Sequence, residues 1–166
     1  YSIKGQQLIK IISNYSKPVI GAINGYALGG GCEIALACHL RYSSPNAIFG
    51  QPEVKLGIIA GWGGTQNLPR LIGVSNALDL LLSGRNIKSN EAITLGLLNG
   101  IFEENLLDKV MDIAFRINNN SPYAISKTIK SVKNGYNKDI DEGLAIESLS
   151  FKDTFTKSES KLGLKS

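Results

Sequence analysis

The sequence predicts an α/β protein that gives way to helix alone over its last third. Three observations predict it. Short apolar runs bounded by Pro, Gly or Asn read as strands, and stretches with apolar residues three and four apart read as helices between them. After about Phe102 the strand signals stop, which divides the chain into residues 1–103, an α/β part, and 104–166, a helical part.

Taken in order, Leu8, Ile9, Ile11, Ile12 and Tyr15 form a helical stripe that ends at Ser16-Lys17-Pro18. Val19 to Ile23, bounded by Pro18 and the Asn24-Gly25 turn signal, reads as a strand buried on both faces. Glu33 to Cys38 is small, apolar and helix-forming, so a buried helix is placed there with Gly29, Gly30 and Gly31 at its N-terminus. Leu40 to Ser43 and Ala47 to Phe49 read as strands around Ser44-Pro45-Asn46, with Glu53 in the loop that follows. Gly57 to Gly64 is loop-like, and helical patterns resume at Leu68 to Leu71 and Ala77 to Leu82. Further helices are expected from about Asn105 to Asn120, after Pro122, and from about Asp139 to Phe155. Leu144, Ile146, Leu149, Phe151 and Phe155 give the last of these an apolar side, for its own core or for another subunit.

At 43% hydrophobic, the 166 residues can bury a core of ordinary size. The net charge of +4 suits a phosphorylated ligand, but the basic residues are scattered and leave no nucleic-acid footprint. No apolar run reaches the eighteen or so residues of a membrane span. Two cysteines in a chain that folds without a disulfide framework point to a reducing cytoplasm. Beginning at Tyr1, without an initiating Met, the chain reads as a piece of something longer.

Two glutamates lie beside glycine-rich backbone: Glu33 in Gly25-Tyr-Ala-Leu-Gly-Gly-Gly-Cys-Glu33, and Glu53 in Phe49-Gly-Gln-Pro-Glu53. Glycines uncover backbone N–H groups, and an acidic pair passes protons when one member is held neutral. Each residue also has a plainer explanation. Glu33 would complement a helix dipole, Glu53 would be a solvated loop acid, Gly61 would provide a turn, and Trp62 would wall an apolar pocket or core. Cys32, Cys38 and the single His39 lack the spacing and number of a zinc site, so no metal is expected. Gly73-Val-Ser-Asn-Ala77 is a near miss to a nucleophile elbow, and no phosphate-binding or dinucleotide glycine motif is present. Lys127, Lys130 and Lys133 recur at helical spacing, either as a solvated face or to meet phosphates.

Lys17 to Glu33, Phe49 to Glu53 and Gly61-Trp-Gly-Gly-Thr-Gln66 together resemble the enoyl-CoA hydratase/isomerase (crotonase) superfamily. The resemblance continues in order through Ser83-Gly-Arg85, Glu91-Ala92, Gly96-Leu-Leu-Asn99 and the serine-rich acidic end. It implies the crotonase-like spiral of short strands and helices also seen in ClpP, followed by a helical trimerisation region. A homotrimer or a dimer of trimers is therefore expected.

The resemblance also implies action on acyl-CoA thioesters in fatty acid β-oxidation or related metabolism, with no cofactor beyond the coenzyme A of the substrate. Members with both glutamates resemble hydratases, so hydration of a 2-enoyl-CoA is the favoured expectation. An isomerase or other crotonase-type acyl-CoA enzyme is one alternative, and a noncatalytic truncated paralogue serving assembly is another. Glu33 would hold and deprotonate the water, and Glu53 would protonate carbon 2. The Gly30 N–H, at a helix N-terminus, would stabilise the enolate oxygen. Ala27, Leu28, Gly29, Gly61 and Trp62 are the substrate-binding candidates.

Ala60 stands where the family usually has proline, Asn67 where arginine is common, and His39 where aspartate is common. The family's upstream strands, most of its CoA-binding loop, its other oxyanion donor and its final helical segment have no counterpart here. The chain by itself is accordingly expected to be a poor catalyst.

Overall fold

Pro18 and Gly25 bracket a strand, and β1 (Ile20–Ile23) forms between them. The computed structural model describes residues 2–155, so the resemblance over 156–166 and at Tyr1 lies outside the described residues. Helix α1 (Ser2–Ser13) precedes β1 and buries Gly5 and Ile9, leaving Tyr15 of the predicted stripe beyond its end. β3 (Leu40–Ser43) lies parallel to β1, with Ile20 opposite Leu40, and β6 (Gly100–Ile101) adds in parallel on the far side of β3. This sheet has the order β1-β3-β6, which makes β1 an edge. The expectation of a strand buried on both faces is therefore not met: Ala22 is exposed and its neighbours in β1 are half-buried.

A second sheet, of order β2-β4-β5, is built from β2 (Tyr26–Leu28), β4 (Ile48–Gly50) and β5 (Asn86–Lys88). β2 and β4 are parallel, with Ala27 opposite Phe49, whereas β4 and β5 are antiparallel. Helix α2 (Gly30–Ala37) follows β2 after a single residue. It takes in two of the glycines that the sequence sets ahead of it, because glycine at a first turn loses little helix stability.

A 3-10 turn (Pro52–Leu56) opens with proline and closes on Gly57 at φ 72°. It is followed by α3 (Gly64–Ile72), α4 (Val74–Ser83) and α5 (Ser89–Thr94). Phe49, Leu68, Leu80, Ile87 and Leu97 lie at the centre of the core, joined by Ala27, Cys32 and Leu36. Removing a side chain of that size leaves a cavity and costs about 2–5 kcal/mol.

Buried polar groups tie the layers together. The Ser89 hydroxyl donates to the Ser44 carbonyl at 2.7 Å, and the Ser43 hydroxyl donates to that of Ser89 at 3.0 Å. The Arg41 guanidinium, depressed from its ordinary value by burial, donates to the carbonyls of Leu97 and Cys38.

The chain divides into two compact units, one of residues 1–13 and 19–113, the other of residues 14–18 and 114–166. Most of α6 (Leu106–Asn118) belongs to the first, although the strands end near the expected change at 103/104. In the second unit α7 (Pro122–Gly135) is capped by the Ser121 hydroxyl, which accepts the Ala124 N–H at 3.2 Å. It packs against α8 (Ile140–Phe155), where Lys127 pairs with Asp153 and lies 5.3 Å from the centre of the Tyr123 ring.

Candidate active site

β2 delivers the chain to α2 through Gly29, whose φ of 53° and ψ of −125° suit glycine alone. The Gly29 N–H donates to the Gly50 carbonyl at 2.9 Å, so Ala27, Leu28 and Gly29 lie along β4. Gly30 is the first residue of α2, and its N–H has no carbonyl four residues back within the helix. The helix dipole adds partial positive charge at the same point.

Glu33, in the first turn of α2, is 2% exposed. Its Oε1 accepts two backbone hydrogen bonds, from the Trp62 N–H at 2.8 Å and the Gly64 N–H at 2.7 Å. Two donors on one oxygen fix the carboxylate and leave Oε2 for another partner. Gly64 must be glycine for this: a Cβ there would stand 2.8 Å from the Ala60 Cβ, 3.1 Å from Glu33 Oε1 and 3.0 Å from the Gln51 amide. Ala60 itself is buried, so the residue that departs from the family pattern fills the space beneath Gly64.

Glu53 reaches the same place from the 3-10 turn. Its Oε1 would lie 3.1 Å from a Cβ on Gly29, one residue before Gly30. Burial raises its carboxyl above the ordinary carboxylate range, and the negative charge of Glu33 raises it further. With its nitrogen turned toward Glu53, the Gln51 amide donates to Oε1 at 3.0 Å and Oε2 at 3.1 Å. One end of α2 therefore gathers two carboxyls and a helix-start N–H.

The family model for enoyl-CoA hydratase/isomerase matches residues 1–166. The chain belongs to this family. It is 43% identical over 162 residues to a short-chain-enoyl-CoA hydratase of Clostridium acetobutylicum, covering 97% of this chain and 62% of that one. It is equally 43% identical over 161 residues to a crotonyl-CoA hydratase of Syntrophomonas wolfei, covering 96% of this chain and 62% of that one. Among solved structures, an enoyl-CoA hydratase from Bacillus anthracis superposes with a TM-score of 0.96 at 36% identity, over 99% of this chain and 64% of the other. The chain thus spans a little over three-fifths of these relatives, and it has the crotonase fold.

Within this crotonase frame, Trp62 has a defined place. Its indole lies against Gly5 of α1 and Gly30 of α2: a Cβ on Gly30 would stand 2.9 Å from its Cζ3, and one on Gly5 would run into the ring. Gly61, another substrate-binding candidate, is held by its carbonyl, which accepts from Gln6 Nε2 at 3.1 Å.

A mostly apolar cavity of about 300 Å³ opens beside Glu53, lined by Gln51, Ile59, Ala60, Pro69 and Leu81 among others. The Cys32 thiol, pushed up to about 12 mainly by burial, stays protonated. Among the described residues no group of three or more His, Cys, Asp or Glu is placed to hold a metal.

Sequence reasoning misses the roles of the Trp62 and Gly64 N–H groups and of Gln51. Backbone donors have no residue signature, and Gly64 lies 31 residues from the carboxylate it holds. The run Gly61-Trp-Gly-Gly64 is the available signal.

Proposed function

We propose that the protein is an enoyl-CoA hydratase, adding water reversibly and with syn geometry to a 2-enoyl-CoA to give a 3-hydroxyacyl-CoA. The observation that carries it is the convergence of Glu33, aimed by two backbone donors, with Glu53, made easier to protonate by burial, at the start of α2. Glu33 takes a proton from water as the oxygen bonds carbon 3. The electron pair of the double bond moves onto the thioester oxygen, and Glu53 gives its proton to carbon 2. The Gly30 N–H meets the developing oxyanion, where a preorganised donor is most effective. Glu33 then holds one proton and Glu53 lacks one, and passage of that proton from Glu33 to Glu53 by way of water readies both for the next turnover.

The substrate thioester brings its own coenzyme A, and the reaction needs no other cofactor. The apolar cavity beside Glu53 suits an acyl chain. The names of the relatives, a short-chain and a crotonyl-CoA hydratase, support a short one. Both cysteines are free, which suits the cytoplasm, and no helix among the described residues is long and apolar enough to cross a membrane. Trimer assembly through the second unit is supported by exposed Leu144, Leu149 and Phe151 on α8. The intact protein should remove the conjugated enoyl-thioester absorbance of crotonyl-CoA. Conversion of a 3-enoyl-CoA without any hydration would replace this reading with an isomerase.

A further inference from the structure

With Glu53 protonating carbon 2, the carbons beyond carbon 3 are left to occupy the cavity whose wall Glu53 joins. A crotonyl group places a single methyl there. An apolar cavity of about 150 Å³ holds the six carbons of a benzene ring. On that scale the roughly 300 Å³ beside Glu53 has room for about ten carbons. The space suits a longer tail than the names of the relatives indicate.

Its wall explains the apolar pattern of α4. Val74, Ala77, Leu78 and Leu81 fall three and four apart, so they share one helix face, and that face lines the cavity together with Ile59 and Pro69. Leu80, off that face, is turned to the core. Ala77 is 1% exposed and the smallest side chain that α4 brings to the cavity, so it leaves the space that a leucine would fill. Ile59, Val74 and Leu82 also line it, yet they are 70%, 66% and 73% exposed. Such an open apolar wall is unfavourable in water, and a bound alkyl chain covers it. Among the described residues Glu53 is the one charged group of the wall, so a polar tail would find no partner beyond it. All of these residues belong to the first compact unit.

We propose that the cavity takes the unbranched alkyl tail of a medium-chain 2-enoyl-CoA, of roughly eight to twelve carbons in all, and that Ala77 is the residue whose small size gives the tail its room. The hydration of that substrate rests on the hydratase reading; the binding of its tail does not.

The test uses the intact protein and two substrates that differ in the tail alone, crotonyl-CoA and trans-2-decenoyl-CoA. The decenoyl thioester should show kcat/KM about tenfold higher or more, because binding of carbons remote from the reaction is carried into the transition state. Hydration of crotonyl-CoA with the decenoyl thioester no better overturns the proposal and leaves the hydratase reading standing. A second arm needs no turnover: decanoyl-CoA, which has no double bond to hydrate, should bind about tenfold more tightly than butyryl-CoA in a calorimetric titration, since each methylene it buries adds affinity. Equal affinities overturn the proposal, whereas that difference in a protein that hydrates neither thioester defeats the hydratase reading alone. Ala77→Leu occupies the cavity and should reduce both ratios roughly tenfold. Leu78→Trp narrows the same face from an exposed position and decides the matter if Ala77→Leu does not fold. Both ratios unchanged in a folded variant would overturn the assignment of the tail to the α4 face.

Discussion

Helices α2 and α8 make opposite use of their apolar residues. Five of the eight residues of α2 are buried, Glu33 among them, whereas none of the sixteen residues of α8 is buried. The first unit therefore encloses its chemistry with its own side chains, and the second keeps Leu144, Leu149 and Phe151 uncovered. A buried carboxylate costs several kcal/mol unless it is hydrogen-bonded, so enclosure and the two N–H donors must come together. An exposed apolar helix carries no such demand, and its sequence is free to suit a partner.

The largest expected effect breaks the enclosed side of this contrast. Glu33→Gln should lower kcat for crotonyl-CoA hydration in the intact protein by about 100- to 10,000-fold, read from the enoyl-thioester absorbance. A rate near that of wild type would remove Glu33 from the chemistry. Next, Gly64→Ala forces a Cβ to within 2.8 Å of the Ala60 Cβ. Overpacking of that kind should cost about 1–3 kcal/mol and lower the melting temperature in a thermal scan.

The open side is tested by Leu149→Glu, at a residue 67% exposed. It should change the stability of the isolated subunit by no more than about 0.5 kcal/mol. If the trimer proposal holds, the mass in sedimentation equilibrium should nevertheless fall toward that of one chain. An unchanged mass would mean that α8 lies outside the assembly surface.

The smallest effect sharpens the link between the carboxyls. Removing the negative charge of Glu33 makes Glu53 easier to ionise, so Glu33→Gln should lower the Glu53 midpoint in a 13C-carboxyl titration. Because burial is the larger cause of its rise, the midpoint should stay above the ordinary carboxylate range.

Much of this arrangement is legible in the residues, and the exceptions follow a pattern. β1, β3, β4 and α2 are marked by apolar runs with Pro, Gly or Asn at their ends, and the glutamates by their glycine neighbours. β2 and β5 have three residues each, too few to display an alternation, and β5 buries only Ile87. They exist because β4 lies between them and satisfies both, a fact of tertiary pairing. The same applies to the clamp on Glu33, made by main-chain groups of a loop about thirty residues on. Gln51 is passed over for another reason: a glutamine before Pro-Glu reads as a polar loop residue until its burial is known.

The contact of Trp62 with Gly5 and Gly30 has one more consequence. These 166 residues contain one tryptophan, and it rests on the residue that begins α2. Light emission from that indole is a built-in gauge of this spot. A change in its wavelength or lifetime on adding an acyl thioester would register events at the oxyanion end without a label, and loss of the α1 contact would shift it toward the colour of a wetted ring.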